Sequence, residues 1–444
     1  MREMKDSGIE WIGLAPISWD YIAIKYLVKS RLGGSWGNDV VDDNDEYNRV
    51  CMRIADFDFI KLKFKENENY TIRRYSKQDI EAKTLCYGDL LIEKSGGGEK
   101  TPVGRVVVYR LSDKNLYANF MERIRLNEKL CTFEFAKYFF YSLYSQGFTR
   151  FYYNQTTGIQ NLNIERYFRE IKVPLLPLNI QQQIADYLDT QCSEIDATAE
   201  DIQKEISLLE DYKKSVITEA VTKGLNPDAE MKDSGIEWIG DIPKNWVTIR
   251  IGNIFSLRNE RNYLPMEQVQ LLSLYSGKGV FPTGEEGTTN SGNHAQTVAD
   301  YKIVKRNDIV VNIILAWMGS LGISNYDGVV SPAYDVYIPD EEKVVPHYYH
   351  YVFRTSGIAN ECYRYGRGIM MMRWRTYSSE FKRIHVPFPS FDEQQQIADY
   401  LDSKSSEIDA LITDKKRQLD ILADYKKSLI YEYVTGKKEV PVNE

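Results

Sequence analysis

The sequence Gln181-Gln-Gln-Ile-Ala-Asp-Tyr-Leu-Asp189 occurs a second time, without a change, at residues 394–402. Another repeat precedes each copy, since Met4-Lys-Asp-Ser-Gly-Ile-Glu-Trp-Ile-Gly13 recurs at residues 231–240. We call the copies of this N-terminal repeat A and A′, and the segments that begin with the glutamine-rich repeat B and B′. The order A, B, A′, B′ is that of a duplicated frame.

Residues 21–173 and 247–386, which lie between the repeats, show little likeness to each other. They differ in length by about a dozen residues, and each mixes β-rich stretches with helical ones. In the first, for example, residues 103–108 are rich in valine, whereas residues 133–144 have a helical pattern. Such mixtures are typical of α+β domains, so the sequence predicts one domain for each insert.

Apolar residues in B and B′ recur with the seven-residue period of a coiled-coil seam. The seam of B includes Leu188, Ile195, Ile202, Leu209 and Val216, and that of B′ includes Leu401, Ile408, Leu422 and Leu429. Each segment follows a proline-rich strand end and stops near Gly224 or Gly436, which predicts helices of about forty residues. Because one such helix cannot bury its own seam, we expect B and B′ to form an antiparallel intramolecular coiled coil.

Lys213 and Lys426 occupy equivalent positions of the two seams. A polar residue at a seam position can fix the register of a coiled coil at a cost in stability. Two exposed lysines beyond the end of the coiled coil would produce the same pattern. The sequence leaves both interpretations open.

The predicted fold class is therefore α+β, with two globular α/β-type domains separated by two long antiparallel helices that form an intramolecular coiled coil. The arrangement has a pseudo-two-fold repeat. We expect a first domain at residues 1–175, a central long helix at 176–226, a second domain at 227–388, and a distal long helix and tail at 389–444.

The composition is that of a soluble protein with more than one core, since 43% of its 444 residues are hydrophobic. The N-terminus has no signal-peptide pattern, and the longest apolar run is too short to span a bilayer. The five cysteines are scattered along the chain, which is typical of a reducing compartment. We expect a cytoplasmic protein.

Charge is distributed unevenly along this chain, whose net charge is −8. Residues 181–225 are mainly acidic, whereas residues 364–383 carry about six basic residues against Glu380 alone. A local basic run suits binding to nucleic acid even in an acidic protein. A solvated surface shows the same pattern, so the run alone does not establish a DNA site.

The repeats resemble those of the specificity subunits of type I restriction-modification systems, and the resemblance covers essentially the whole chain. It is carried by the duplicated A frame and by Pro174-Leu-Leu-Pro-Leu-Asn-Ile-Gln-Gln-Gln-Ile-Ala185 at the start of a long helix. Ser95-Gly-Gly-Gly98, followed by Val103-Gly104, and Thr156-Thr-Gly-Ile-Gln-Asn-Leu162 are similar to segments of that family's recognition domains.

The resemblance implies two target recognition domains, each of which reads one half of a bipartite, asymmetric site in double-stranded DNA. It implies that the helices act as a ruler and a docking surface. It also implies two modification subunits, which methylate adenine at N6, and restriction subunits, which translocate and cut DNA. S-adenosylmethionine, ATP and Mg are then expected on those partners, with no cofactor, metal or catalytic residue on this chain.

Candidate DNA-binding residues in the first domain are residues that can reach base edges or phosphates from loops. They are Lys94, Ser95, Gly96, Gly97, Lys100, Arg105, Arg150, Tyr152, Asn154, Gln155, Thr156 and Thr157. Arginine can bind guanine O6 and N7 through two hydrogen bonds, and asparagine or glutamine can bind adenine N6 and N7. The glycines would let backbone amides approach a phosphate. They would equally serve a tight turn.

The candidates in the second domain combine basic with aromatic residues, which suits phosphate binding and base stacking. They are Trp317, Ser320, Arg364, Tyr365, Arg367, Arg373, Trp374 and Arg375. This domain departs from the family pattern, because Ala316-Trp-Met-Gly-Ser320 stands where the Ser-Gly-Gly-Gly turn is expected.

Four short segments imitate enzyme motifs. Ser331-Pro-Ala-Tyr334 resembles the Pro-Pro-Tyr motif of amino-methyltransferases but lacks the second proline, and a strand start explains it. Gly96-Gly-Gly-Glu-Lys-Thr101 lacks the spacing of a phosphate loop. The adjacent acids of Pro339-Asp-Glu-Glu-Lys343 fit a hairpin tip better than a shared metal site. His347 and His350 have no third ligand at a suitable spacing, so we expect a structural pair.

The competing functions are therefore a stand-alone DNA methyltransferase or nuclease and a coiled-coil scaffold. The first is disfavoured by these incomplete motifs. The second would need only the helices and leaves the two unlike inserts unexplained.

Overall fold

The computed structural model of the protein describes residues 3–66, 69–156, 159–275, 279–284, 297–368 and 374–441. The chain forms two compact units, the first made of residues 1–203 and 416–444 and the second of residues 204–415. Two long helices, α5 (Leu178–Lys223) and α9 (Phe391–Val434), each contribute one part to each unit.

The first unit contains sixteen strands and four shorter helices among its described residues. The strands are β1 (Met4–Asp6), β2 (Leu14–Pro16), β3 (Asp20–Ala23), β4 (Val28–Gly33), β5 (Asn48–Met52), β6 (Phe57–Asp58), β7 (Lys63–Phe64), β8 (Ile72–Arg74), β9 (Leu90–Glu93), β10 (Ser95–Gly97), β11 (Val106–Val108), β12 (Leu116–Tyr117), β13 (Met121–Leu126), β14 (Tyr153–Thr156), β15 (Ile159–Leu162) and β16 (Lys172–Leu175). The helices are α1 (Ile24–Leu27), α2 (Lys77–Lys83), α3 (Phe133–Ser145) and α4 (Ile164–Glu170).

A six-stranded sheet with the order β4-β13-β9-β11-β7-β6 forms the centre of this unit. Its central strands β9 and β11 are buried along their whole length, which is expected of strands covered on both faces. Helix α3 packs on it, and Phe135 and Phe139 share one buried cluster with Ile92 and Val106. The Thr132 side chain caps α3 by accepting from the Phe135 amide.

The second unit contains twelve strands and three shorter helices among its described residues. The strands are β17 (Met231–Asp233), β18 (Asp241–Pro243), β19 (Val247–Arg250), β20 (Phe255–Leu257), β21 (Leu272–Tyr275), β22 (Gly279–Pro282), β23 (Lys302–Val304), β24 (Ile309–Asn312), β25 (Leu321–Ile323), β26 (Gly328–Val330), β27 (Tyr334–Pro339) and β28 (His385–Phe388). The helices are α6 (Pro346–Phe353), α7 (Ser356–Tyr365) and α8 (Ser378–Phe381). The main sheet has the order β20-β27-β24-β25, and α6 shares its core.

The frame closes each insert with two antiparallel strands. In the first unit β3 pairs with β16, which places Ile22 opposite Val173. In the second unit β19 pairs with β28, which places Ile249 opposite Val386. The two ends of each insert are therefore hydrogen-bonded neighbours.

The long helices run antiparallel to each other in both units. In the first unit Leu188, near the start of α5, shares a core with Leu429, near the end of α9. In the second unit Ile217, near the end of α5, shares a core with Leu401, near the start of α9. The predicted α+β class and the antiparallel pairing of the helices are confirmed.

A repeated glutamine fixes the start of each long helix to its own domain. Gln181 accepts from the Thr132 amide at 2.9 Å and donates to the Leu130 and Leu176 carbonyls at 2.8 Å each. Gln394 makes the same three contacts, since it accepts from the Val345 amide at 2.8 Å and donates to two carbonyls at 3.1 Å. Both side chains are buried. The repeated glutamine therefore satisfies backbone groups that water cannot reach.

The two seam lysines bind carboxylates of the opposite helix. Lys426 Nζ lies 2.6 and 2.8 Å from the two carboxylate oxygens of Asp196 and donates to the Ile60 carbonyl at 2.9 Å. Lys213 Nζ lies 2.7 and 2.8 Å from the carboxylate oxygens of Asp409. The pairs occupy equivalent positions of the frame, which favours a role in setting the register of the coiled coil over two lysines beyond its end.

His350 on α6 is enclosed beside another cation. Its Nε2 accepts from Arg354 at 3.1 Å, since a guanidinium can only donate, and its Nδ1 lies 3.5 Å from the Ile323 amide. Burial lowers the pKa of His350 to about 3, and the charge of Arg354 acts in the same direction. As the pH falls below about 6.5, the unfolded chain binds a proton that the folded chain does not bind until about pH 3, so stability falls across that window.

Replacing His350 by leucine should remove this loss. The unfolding free energy of His350→Leu is compared with that of the wild-type protein at each pH. Relative to the wild type, the variant should be more stable at pH 5 than at pH 7.5, by about 2 kcal/mol. Urea unfolding at the two pH values measures it. His347→Leu, at a half-exposed position one turn earlier on the same helix, is the control, and an equal pH dependence of the two variants would contradict the assignment.

No helix in the described ranges is long and apolar enough to cross a membrane. All five cysteines carry free thiols, of which Cys86 is exposed and the other four are buried.

Candidate functional site

A small three-stranded sheet in the first unit brings together the two candidate loops of the first insert. Its order is β10-β15-β14, so residues 95–97 and 153–156 flank the same strand. Ser95 lies opposite Asn161, and the Ser95 hydroxyl donates to the Asn161 side-chain oxygen at 2.5 Å. Asn154 lies opposite Asn161 on the other side. Ser95 therefore shares one surface with Asn154 and Asn161, which lie 59 and 66 positions later in the sequence.

The glycines of this surface form a tight turn. Gly96 has φ +97, a left-handed conformation that favours glycine. A Cβ on Gly97 would lie 2.7 Å from the Val103 nitrogen, so the packing of the turn excludes a side chain there. The Gly98 amide donates to the Thr101 carbonyl at 3.1 Å, which commits it to the turn. Lys100 is exposed within this turn.

Two of the basic candidates differ in what they contact. The Arg105 guanidinium binds the Glu93 carboxylate through two hydrogen bonds of 2.7 and 3.1 Å. Burial raises the pKa of Glu93, while the hydrogen bonds from Arg105 lower it. Arg105 therefore neutralises a buried acid, and we leave it out of the proposed interface. Lys94 is partly exposed, with its Nζ 4.0 Å from Glu122.

Arg150 and its neighbours lie in the short helical turn, residues 148–152, that leads into β14. Arg150 is exposed, and its guanidinium lies 5.1 Å from the ring centroid of Phe151, which is also exposed. Tyr152 is partly buried between Tyr167 and the Arg166 guanidinium. Asn154 is exposed on β14.

Three candidates of this loop are described only in part or not at all. Gln155 and Thr156 belong to β14, but their side chains lie outside the described residues, as does the whole of Thr157.

The candidates of the second insert gather around three aromatic rings. Trp374 stacks on Tyr363 with ring centroids 5.1 Å apart, and Trp317 lies 6.0 Å from the same tyrosine. Arg367 and Arg375 are paired by two backbone hydrogen bonds of 3.0 and 3.1 Å, which keeps both side chains on this surface.

The remaining candidates of the second insert separate by exposure. Arg364 is exposed beside Tyr365, with its guanidinium 5.9 Å from the ring centroid. Ser320 is only 2% exposed, so its side chain cannot contact DNA in this conformation and we leave it out of the proposed interface. Arg373 lies outside the described residues.

We call the group around Tyr363 in the second insert the second surface; it contains Trp317, Arg364, Tyr365, Arg367, Trp374, Arg375 and Arg383. Its acidic residues are fewer than its basic ones. Glu380 lies within 3.8 Å of Arg367 and 3.3 Å of Arg383, and Glu361 lies 3.3 Å from Arg364. Two arginines thus share one carboxylate. The surface keeps an excess of guanidinium groups, which suits an anionic partner.

Four residues at these surfaces were missed by the sequence reasoning. Asn161 and Phe120 belong to the first surface, since Phe120 is exposed and 3.6 Å from a Cβ built on Gly96. Tyr363 and Arg383 belong to the second. The Gln-Asn pair at 160–161 was a usable signal, because an alternating strand exposes one of two adjacent amides. Phe120 gave no signal, because it lies in a turn and contacts Lys94 and Gly96, which are distant in sequence.

The segments that imitate enzyme motifs adopt ordinary secondary structure, with His347 and His350 on α6 and the others in turns. Ser331 accepts from the Tyr334 amide at the start of β27. Asp340 binds Lys343 at 2.5 Å in a turn that leads into α6, so this segment is not the tip of a hairpin as the sequence predicted. Among the described residues, no group of three metal-binding side chains is close enough to hold an ion.

Comparison with known proteins identifies a family. The model of the type I restriction modification DNA specificity domain matches residues 52–208 and 243–420, which is more than half of the chain. A protein named for the MjaX type I restriction enzyme specificity subunit of Methanocaldococcus jannaschii is 23% identical over 441 residues, which cover 97% of this chain and 96% of that protein.

Solved structures share the fold. One is a chain from a structure that describes complex assembly and conformational transition of the type I R-M system, with a TM-score of 0.66 and 13% identity over 96% of this chain and 99% of that one. Another is the HsdS subunit from Thermoanaerobacter tengcongensis, with a TM-score of 0.50 and 13% identity over 96% and 98%. The duplicated frame, the two unlike inserts and these matches together show that the chain belongs to the DNA specificity family of type I restriction-modification systems.

Proposed function

We propose that the two inserts each read one half of a bipartite, asymmetric DNA site. The observation that carries the proposal is that one frame holds two unlike inserts with different surfaces. The first presents basic, amide and aromatic side chains, and the second presents basic and aromatic ones. Since the reading surfaces differ, the two half-sites should differ in sequence. As a member of its family, the chain supplies DNA specificity and no catalytic centre.

The partners follow from the same frame. Two equivalent frames offer two equivalent docking sites, which supports an assembly with two modification subunits and with restriction subunits. S-adenosylmethionine, ATP and Mg would be bound by those partners. The modification subunits would methylate adenine at N6 within the site that this chain selects.

The chemistry of the first surface suits direct recognition of bases. An exposed arginine at position 150 can donate two hydrogen bonds to guanine, and Asn154 can both donate to and accept from adenine in the major groove. In the second surface, Trp317 and Trp374 supply apolar area beside Arg364 and Arg367. Such residues contact bases and phosphates together.

Replacing Arg150 by alanine should weaken binding by about 1 to 3 kcal/mol if the contact is to a base. The loss should fall only on duplexes that carry the half-site read by the first insert. Titration of the complex with duplexes altered in one half-site at a time measures this.

The matched control for that measurement is Arg364→Ala in the second insert. It should affect only the other half-site. An Arg150→Ala loss that is equal for all duplexes would show a phosphate contact instead.

Sequencing of N6-methyladenine in cells that carry the complete system tests the function itself. The expected motif has two unlike halves with unspecified bases between them. A continuous motif, or no motif that depends on this chain, would overturn the proposal.

A further inference from the structure

A basic recess of about 350 Å³ lies in the first unit. It is bounded by β4, by the turn of helix before it and by α4. Its lining residues are Lys25, Val28, Lys29, Ser30, Arg31, Glu165, Phe168 and Arg169. Four of these are cations and one is a carboxylate.

Glu165, the single carboxylate of the lining, is ion-paired, and Arg169 is bound to Glu170 at 3.3 Å. Arg31 forms ion pairs with Glu165 and, at 3.3 Å, with Glu122, and its guanidinium lies 5.1 Å from the ring centroid of Phe168. Arg31 is thereby held as part of the wall. Lys25 and Lys29 remain exposed at the mouth, so the recess presents uncompensated positive charge.

Chain segments connect the recess to the sheet that carries the candidate base contacts. Helix α4 begins at Ile164, two residues after β15 ends. Strand β4 ends at Gly33, where a Cβ would lie 3.0 Å from Lys94 Nζ. Lys29 precedes Gly33 by four residues, about 13 Å along an extended strand. DNA that extends beyond the sheet along β4 would therefore bring its flanking backbone to the recess.

The equivalent place in the second unit is built differently. The amide of Ile24 donates to the Ile171 carbonyl at 3.1 Å, and that of Ile251 donates to Ile384 at 2.9 Å, which aligns the two frames. Counting from these isoleucines, Gly252 and Ser256 stand where Lys25 and Lys29 stand in the first unit.

Close packing also occupies that place in the second unit. A Cβ on Gly252 would lie 2.9 Å from the Cβ of Lys382. Lys25 and Lys29 therefore belong to the first frame, and the equivalent positions of the second frame are not lysines.

We propose that this recess binds backbone phosphates of the DNA that flanks the half-site read by the first insert, through Lys25 and Lys29. The proposal rests on the proposed function. Contacts to phosphate fix the position of a protein on the duplex without reading sequence. Lys25 and Lys29 would therefore add salt-dependent, sequence-independent affinity to the first unit, separately from its base contacts.

The test is the double variant Lys25→Gln/Lys29→Gln in the full chain assembled with its modification subunits. Binding is measured by fluorescence anisotropy at several salt concentrations, on a duplex with the methylated motif and on a scrambled duplex. Loss of two phosphate contacts should reduce the slope of log K against log salt by about 1.8. At 0.1 M salt both duplexes should bind more weakly by the same factor, on the order of ten- to a hundredfold.

Two further variants distinguish the effect of the position of the lysines from the effect of a lower net charge. Lys63→Gln/Lys114→Gln removes the same charge from the same unit, and Lys63 lies on β7, which β13, β9 and β11 separate from β4. This control should leave the salt slope unchanged. Lys25→Arg/Lys29→Arg should keep the wild-type slope, because a phosphate accepts from either cation.

Two outcomes would overturn the proposal. One is an unchanged salt slope in the double glutamine variant. The other is weaker assembly with the modification subunits, measured by sedimentation, without a change in slope, which would make the recess a protein contact. Failure of the proposed function is distinct, since the wild-type complex would then not prefer the motif duplex over the scrambled one.

Discussion

Replacing Lys426 by methionine should lower the free energy of unfolding of the first unit by about 3–5 kcal/mol. The Lys426 side chain is 8% exposed and that of Asp196 is 13% exposed. Methionine removes the positive charge and leaves the carboxylate of Asp196 buried without its partner. A buried charge that has lost its partner costs far more than the pair contributed. Urea unfolding, followed by hydrogen exchange of amides in residues 178–203, measures the loss.

The frame supplies the control at the equivalent position of the second unit. The Lys213 side chain is 18% exposed, but that of Asp409 is 60% exposed and stays hydrated when its partner is removed. Lys213→Met should therefore cost less than about 1 kcal/mol. The double variant Lys426→Met/Asp196→Leu should recover most of the stability lost by Lys426→Met. Equal losses in the two single variants would show that burial does not govern these pairs.

The long helices were predictable because their signal is local and periodic. The seven-residue pattern fixed the seam, and Gly224, at φ +76, follows the last residue of α5. The need to bury two matching seams predicted their antiparallel pairing. The carboxylate partners of the seam lysines were not predicted, because Asp196 and Asp409 belong to no repeating apolar pattern.

The reading surfaces were predictable as segments but not as side chains. Arg105 and Arg150 have equivalent chemistry in sequence, yet one is bound to a buried acid and the other is exposed. The difference arises from register, because Val106 opposite Ile92 places Arg105 beside Glu93. A one-residue shift of that pairing would reverse which face each side chain occupies, and sequence alone does not fix such a register.

The second surface could also be predicted only in part, because its residues come from distant parts of the sequence. The basic and aromatic residues from 364 to 375 were recognised as a group, whereas Trp317 is distant in sequence and lies 6.0 Å from Tyr363, next to that group. Ser320 was a candidate, but it directly precedes β25 and its backbone carbonyl accepts from the Asn312 amide. Burial of that kind depends on tertiary packing, which overrides local composition.

Exchanging residues 247–386 for the corresponding insert of a specificity subunit with a different target should replace one half-site and leave the other unchanged. The exchange points are hydrogen-bonded neighbours, since Val247 lies opposite Phe388 and Ile249 opposite Val386 in the ribbon of β19 and β28. The new insert therefore enters a frame whose two ends already have the required spacing and register. The frame contacts of Gln394 with the Lys343 carbonyl and the Val345 amide fall inside the exchanged segment, so the donor insert must supply the same backbone acceptor and donor.

The original motif should lose its preference over other DNA by about a thousandfold or more, because specific binding exceeds non-specific binding by at least that factor. Sequencing of N6-methyladenine in cells that carry the exchanged subunit would show the new motif. The reciprocal exchange of residues 21–173 should replace the opposite half-site, because β3 and β16 close the first insert in the same way. If either exchange altered both half-sites, base recognition would depend on contacts that the two inserts share, and neither surface could be treated as a reader of its own half-site.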